Sequence, residues 1–419
     1  MAKRLMLVVI IGLLAGVPSV SLGAPAGPVE ITAAITLGIN LDVARPVTDR
    51  FNASQNEVRV KIDAIPWTSI FEKMMIEFST GRPSHDVLMH SMSMFPSLVR
   101  AGYLEPLDAY FERKDLVDKA AFDLKDFPES LMPRERGKLY HLPYMTGPQI
   151  LFYREDLLRA AGLGVPSTTE EFMAAVKRLH NPQRGMYGTV LHGIRSGAGG
   201  NTYHFYPFLF SFGGNIVDAQ GRTAIDSPEA IRALEYWLEL GRNAPPDAIN
   251  FGAGPASESM MAGNVALMVT YADHYARFLD PKRSKIASTI RWAPFPRGPV
   301  GRGIAVAHVW SVSISRYSRQ KEAAFKYIAY LLSKQAMPEY VKAGGVPPRQ
   351  SILTAPDAPP AFRLSAEGLK TARGVPLDHQ YIRMEEILSV ELSNALAGKK
   401  NAAQALRDAA AEIRRIRGR

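Results

Sequence analysis

The sequence predicts an α/β protein of two lobes, and three observations carry that prediction. First, 419 residues with 47% hydrophobic and 21% charged content describe a folded chain too long for one compact core. Second, residues 29–90 alternate strand-like and helix-like patterns in a βαβαβ rhythm, which implies a mainly parallel, helix-flanked sheet. Third, residues 137–162, GKLYHLPYMTGPQILFYREDLLRAAG, read as two strands (138–142 and 149–153) parted by Pro143-Tyr144. That pattern suits a chain crossing from one lobe to another.

Taken in order, residues 29–39 form a β-rich first strand, and Asn40-Leu41-Asp42 open a helix running to about residue 52. Residues 57–65 alternate apolar and polar positions as a second strand, and residues 67–79 place Ile70, Phe71, Met74, Met75 and Phe78 at helical spacing. Residues 86–90 make a short third strand. Binding loops are expected at the carboxyl ends of these strands, near Asn40, Trp67 and His90. After the crossing stretch, Thr168 and Glu171 form a capping box for a helix with Phe172, Ala175, Val176 and Leu179 on its inner face. Residues 187–191 read as a strand, 196–201 as a flexible loop, and 201–214 as an aromatic segment. Ser227-Pro228 start a further helix by N-cap and N1 logic. Residues 257–263 then read as a short helix, 265–270 as a strand, and 271–275 as a loop. An apolar strand at 304–314, interrupted by His308 and Trp310, precedes a helix with Ala324, Tyr327, Ile328 and Leu331 in a stripe. Two helices parted by Gly398 close the chain.

At the start, Lys3-Arg4 precede an apolar run to Val17, followed by Pro18 and the small residues Ser21-Leu22-Gly23-Ala24. This is the pattern of a secretory leader, with cleavage expected after Gly23. Its loss lowers the formal charge from +10 to +8, since residues 1–23 hold two basic and no acidic side chains. No cysteine is present, so disulfides, a thiolate nucleophile and a lipid-modified cysteine are all excluded. The expectation is a protein free in the periplasm. The basic excess is scattered, with one run at Arg414-Arg415-Ile416-Arg417, so a nucleic-acid partner is not expected.

The order of several short motifs resembles a known family. Residues 137–144 and 151–157 are similar to the G-K-x-Y-x-L-P-Y and L-Y-Y-N-K-D-L segments of extracellular solute-binding proteins of ABC importers, in the maltose-binding-type sugar branch. Phe51-Asn52, Trp67 with Phe71-Glu72-Lys73, Gly81-Arg82-Pro83, Asp86-Val87-Leu88, residues 101–108 (AGYLEPLD) and the late Gly345-Val346-Pro347-Pro348-Arg349 fall in the family's order. His85 departs from it, standing where a proline is usual. The resemblance implies a two-lobe periplasmic-binding-protein fold with hinge crossovers near 144–146, 309–310 and 354–360. The lobes would comprise 24–145 completed by 311–357, and 146–310 completed by 358–419.

No catalytic pattern stands out: GxGxxG after a strand, GxxxxGK[ST], GxSxG and HExxH are all missing from the sequence. No enzyme activity and no cofactor are expected. A sugar needs aromatic faces for its C–H surface and aimed polar groups for its hydroxyls. Trp67, Tyr144, Tyr203, Tyr206, Tyr271 and Trp310 are candidates for stacking; Asn40, His90, Asp273, His274 and His308 are candidates for hydrogen bonding. The resemblance singles out Tyr144, Tyr203, Tyr206, Asp273 and His90, and leaves Arg349 between ligand contact and a structural role at the third crossover. Gly147 stands where some relatives place a polar contact. Tyr271, Asp273 and His274 are also the ligand types of an Fe(III) site, but adjacent loop residues rarely face one ion together, and no metal is expected. The resemblance thus implies a monomer that captures a carbohydrate or polyol by hinge closure and hands it to an inner-membrane ABC permease. The alternatives are an anionic ligand such as glycerol 3-phosphate on the same fold, and a secreted carbohydrate-active enzyme.

Overall fold

The computed structural model describes residues 27–196 and 200–418. The expected leader lies outside these, as does the middle of the loop at 196–201. The first lobe is built on β1 (Val29–Thr36), α1 (Ile39–Ser54), β2 (Val58–Ile65), α2 (Ile70–Thr80) and β3 (Val87–Ser91). β1 pairs in parallel with β2 from Val29↔Val58 to Thr36↔Ile65, and with β3 at Ala33↔Val87 and Ala34↔Leu88. Ala33, Ala34 and Ile35 are fully buried, as a strand covered by helices on both faces requires. Gly81 ends α2 in the left-handed region (φ 63), which a glycine adopts without steric cost.

The crossing stretch is one strand rather than two. β4 (Leu142–Arg154) runs unbroken for 13 residues, and the expected Pro143-Tyr144 interruption is a register shift between Pro143 and Met145. A bulge accommodates a residue that lacks a backbone donor without ending the strand. Residues 138–141 stay outside it, with Lys138 making only a single bridge to Glu135. The first half of β4 pairs antiparallel with β7 (Ala307–Ile314), from Leu142↔Val312 to Pro148↔Ala307. The second half pairs with β5 (Leu267–Tyr271) and β6 (Ile290–Ala293), both antiparallel. β7 in turn pairs antiparallel with β3. The sheet order is β2-β1-β3-β7-β4-β5, with β6 on β4.

The two-lobe α/β architecture is the one expected, with the parallel pairs confined to the first lobe. In the second lobe the named strands pair antiparallel, and parallel contact is limited to isolated bridges such as Tyr187↔Val265. The strand expected at 187–191 is therefore that single bridge. Gly188 presses so closely on the Val176 carbonyl that a side chain has no room, and the backbone of Tyr187 and Gly188 bonds Asn264, Ala266 and Leu267 at the start of β5. One buried cluster gathers residues from Ile31 to Met145 with Trp310 to Tyr340; the other runs from Ile150 to Val306 with Val346 to Ile413.

The aromatic segment 201–214 is a helix, Asn201–Ser211, buried at every position. A helix Pro360–Thr371 precedes the two expected C-terminal helices, Tyr381–Leu396 and Ala402–Arg417. The terminal basic run is neutralised in place: Arg414 pairs with Asp226, Arg415 with Glu412 and Arg417 with Asp378. The capping box is offset by one residue. Thr168 accepts from the Glu171 N–H at 3.1 Å, while the Glu171 carboxylate reaches back to the N–H and hydroxyl of Ser167. Thr168→Ala is expected to destabilise the protein by about 1 kcal/mol. An unchanged urea midpoint would show that the Glu171–Ser167 clasp holds this turn by itself.

Candidate functional site

The carboxyl ends of β1 and β2 face the second lobe across a cavity of about 350 Å³. Thr36, Leu37, Gly38 and Asn40 form one wall with Trp67, which follows β2. Gly38 turns the chain from β1 into α1 at φ 92 and lets the backbone itself line the cavity. The opposite wall comes from Ile194, from residues 250–255 entering the helix Ala253–Met261, and from Tyr271, Asp273, His274 and Arg277 after β5. His308 and Trp310, on β7, complete the lining.

The rings are arranged around His308. It stacks on Trp310 at 5.2 Å and meets Tyr271 edge-on at 5.0 Å, with Tyr203 at 5.3 Å. Burial pushes its imidazole down to about 4, so the ring is neutral at physiological pH. His274, bonded to the Ser257 hydroxyl at 2.6 Å, is pushed down to about 3, first by burial and then by the charge of Arg277.

Five buried polar atoms on the residues of these walls have no protein partner: Asn40 Oδ1, the Tyr271 hydroxyl, Asp273 Oδ1, Arg277 Nε and His308 Nε2. Asn40 is oriented from both sides. Its Nδ2 donates to Thr36 Oγ1 at 2.6 Å, and its backbone carbonyl accepts from the Tyr144 hydroxyl at 2.9 Å. Asp273 is 7% exposed. Burial pushes its carboxyl up to about 7, against the opposing pull of its own backbone and of Arg277. Arg277 is engaged across the cleft, donating from Nη2 to Asp42 of α1 at 2.8 Å. Unpaired buried polar atoms are costly, so their convergence on one cavity marks where a polar ligand's hydrogen bonds would be completed.

Of the twelve residues singled out in the sequence, the cavity brings together Asn40, Trp67, Tyr271, Asp273, His274, His308 and Trp310. The others lie elsewhere. His90 is fully buried between the Ser313 hydroxyl and the Ser91 carbonyl. Tyr144 supports Asn40 from behind, and Tyr206 bonds Tyr381. Tyr203 sits one ring back, against His308. Tyr203 and Tyr206 were expected beside a loop, and the buried helix explains why they pack as core. Arg349 is 0% exposed, far along the first lobe, paired with Asp126. Gly147 lies against the Ala272–Asp273 backbone, where a Cβ would meet the Asp273 nitrogen at 3.3 Å, so close approach rather than ligand chemistry accounts for it. Sequence reasoning missed Ile194, Asn250 and Arg277; only Arg277 carried a signal, standing four residues after Asp273. Among the described residues no three His, Asp or Glu side chains gather to hold a metal ion, and no helix is long and apolar enough to cross a membrane.

Comparison with known proteins agrees with this geometry. The sequence profile described as bacterial extracellular solute-binding protein matches residues 42–338. The mannitol-binding protein of Pseudomonas aeruginosa is 26% identical over 384 residues, covering 85% of this chain and 86% of its own. An ABC transporter solute-binding protein from Agrobacterium radiobacter, solved in complex with ribitol, matches with a TM-score of 0.85 and 25% identity over 93% of this chain and 98% of its own. Maltose-bound MalE3 of T. maritima matches with a TM-score of 0.84 and 26% identity, over 93% and 100%.

Proposed function

We propose that this chain, which belongs to the bacterial extracellular solute-binding protein family, captures a polyol or short carbohydrate between its lobes and delivers it to an inner-membrane ABC permease. One observation carries the ligand class: five unpartnered polar atoms, donors and acceptors both, belong to residues lining a cavity walled by the rings of Trp67, Trp310 and Tyr271. A cavity of about 350 Å³ is at the small end of ligand sites, which favours a single polyol or a mono- or disaccharide over a long glycan. The mannitol and ribitol named for two relatives support the same class.

Capture works by closure. A ligand that touches both lobes favours the closed arrangement by its differential affinity for it, and the Asp42–Arg277 ion pair adds a contact across the same gap. The lobes in this proposal are 24–145 with 311 onward, and 146–310 with the C-terminal part. The third passage is expected at 354–360 from the sequence; packing of Val346 and Leu353 in the second core, with Arg349 bonded to Asp126 of the first, supports a reading in which it begins earlier, within 343–353. In this proposal the leader at 1–23 is cleaved and the mature protein works in the periplasm, as a monomer. The ligand is handed on unaltered, as the relatives are binding proteins. The anionic alternative cannot draw on Arg349, which is bound to Asp126.

Titration calorimetry with mannitol, ribitol, maltose and glycerol 3-phosphate tests the proposal. A micromolar Kd, equivalent to about 8 kcal/mol, is expected for at least one neutral polyol or sugar. Trp67→Ala and Trp310→Ala should each weaken it by about 2 kcal/mol, or roughly 30-fold. No binding of any neutral compound, or wild-type affinity in both variants, would sink the reading.

A further inference from the structure

We propose that the ion pair between Asp42 and Arg277 limits ligand length: with Ile39 it parts the cavity from a second void, which a ligand longer by one sugar unit enters only when the pair is broken. This rests on the polyol or short-carbohydrate reading above and specifies it. The second void, of about 560 Å³, lies between the same two lobes. Asp42, Arg45 and Lys342 reach it from the first lobe, and Arg277, Asp280 and Arg283 from the second. Among the described residues only Ile39 and Arg277 line both spaces, so the two voids meet at one side chain from each lobe.

Arg277 is held in that place from two directions. It stands in the helix Tyr275–Leu279, which follows the turn carrying Asp273 and His274. Beside it Ala276 packs on the first lobe at Gly344, where a Cβ would come within 3.0 Å of the Ala276 methyl and 3.8 Å of Ile39. Gly344 also has φ 92, a conformation that suits glycine. The guanidinium reaches across the gap: Nη2 donates to Asp42 Oδ2 at 2.8 Å, and Arg283 lies 3.9 Å from the same oxygen. Asp42 is in the first turn of α1, where unpaired helix N–H groups favour a carboxylate.

The two voids offer different contacts. The inner one has the rings of Trp67, Trp310 and Tyr271; the outer one has no aromatic side chain in its lining and carries both signs of charge. A sugar unit in the outer void would find partners for its hydroxyls but no ring to stack on. It gains little there, and its entry displaces Arg277 from Asp42. The pair itself is weak, since the two side chains are 40% and 21% exposed. The longer ligand is therefore disfavoured by the place that Arg277 occupies as much as by the contact that it loses.

Calorimetry with two pairs of compounds tests this: D-mannitol against 1-O-α-D-glucopyranosyl-D-mannitol, and maltose against maltotriose. In the wild type the longer member of each pair should bind about tenfold or more weakly. Asp42→Ala should narrow that gap by about fivefold. Asp42→Asn, which keeps the side-chain length and an oxygen acceptor for Arg277, should preserve it. Asp42 is exposed, so neither variant disturbs a core, and the ratio within a pair cancels any change in closure common to both members. If Asp42→Ala weakens short and long members by the same factor, the pair is a clasp on closure and not a partition, and the inference is overturned. Equal binding of both members by the wild type overturns it as well, and leaves the reading above standing. Failure of both mannitol and maltose to bind removes the inference; failure of every neutral polyol and sugar removes the reading above with it.

Discussion

Replacing Arg349 by alanine is expected to destabilise the protein by about 3–5 kcal/mol and to leave the affinity for a cleft ligand unchanged. The guanidinium is wholly enclosed. It donates to Asp126 at 3.0 Å, to the Leu332 carbonyl at 2.8 Å and to the Phe122 carbonyl at 2.8 Å, and lies 4.2 Å above the Phe127 ring. Asp126 depends on it. Burial by itself would raise that carboxyl, but hydrogen bonds from Ser351 and Arg349 outweigh burial and hold it below the usual range. Removing Arg349 strands a buried carboxylate and three carbonyl or ring contacts at once, whereas a surface pair would contribute little. Lysine should not rescue, because it lacks the planar fork that reaches several acceptors together. Urea denaturation and mannitol titration on the same variant check both halves. Wild-type stability with weakened affinity would place Arg349 back in the ligand site.

The second large effect concerns Asp273 and pH. Its carboxyl titrates at about 7 in the folded chain and near 3.9 when unfolded. Between those values the unfolded chain is ionised while the folded one keeps its proton, so this group's contribution to stability falls as pH rises from about 4 to about 7 and is then constant. The gap of about three pH units corresponds to roughly 4 kcal/mol as an upper bound. His274 and His308, pushed down to about 3 and 4, act in the opposite sense, their contribution being lost as pH falls below about 6.5. Only the difference between wild type and Asp273→Asn isolates the carboxyl. The variant should be the more stable at pH 8 in ligand-free thermal denaturation, with its advantage shrinking toward pH 4. An advantage that is the same at both pH values would show that the Asp273 carboxyl does not titrate there.

The division into two lobes was legible because it rests on short-range patterns: strand–helix alternation in residues 29–90 and motifs in a characteristic order. Asn40 and Trp67 could be found because the ends of parallel strands are predictable positions. What the sequence concealed depended on tertiary context. Pro143 looks like a strand break, and only the partner strand shows that it is absorbed by a bulge. Tyr203 and Tyr206 sit in a run so aromatic that no helical face is distinguishable; with every position buried, no periodicity can be read. Arg349 belongs to a motif, yet whether it faces a ligand or Asp126 is decided 223 residues away in the chain.

The ladder of backbone hydrogen bonds between β4 and β7 is the spine on which both lobes hang. Such a ribbon cannot slip by one position, since that would turn every side chain to the opposite face; its soft modes are flexure and twist. In the capture proposed above, the lobes would swing like covers about a binding. His308 and Trp310 belong to the spine itself, whereas Leu37 follows β1 in the first lobe. On that mode of capture, a guest too bulky to settle against the His308 and Trp310 rings would hold the covers apart.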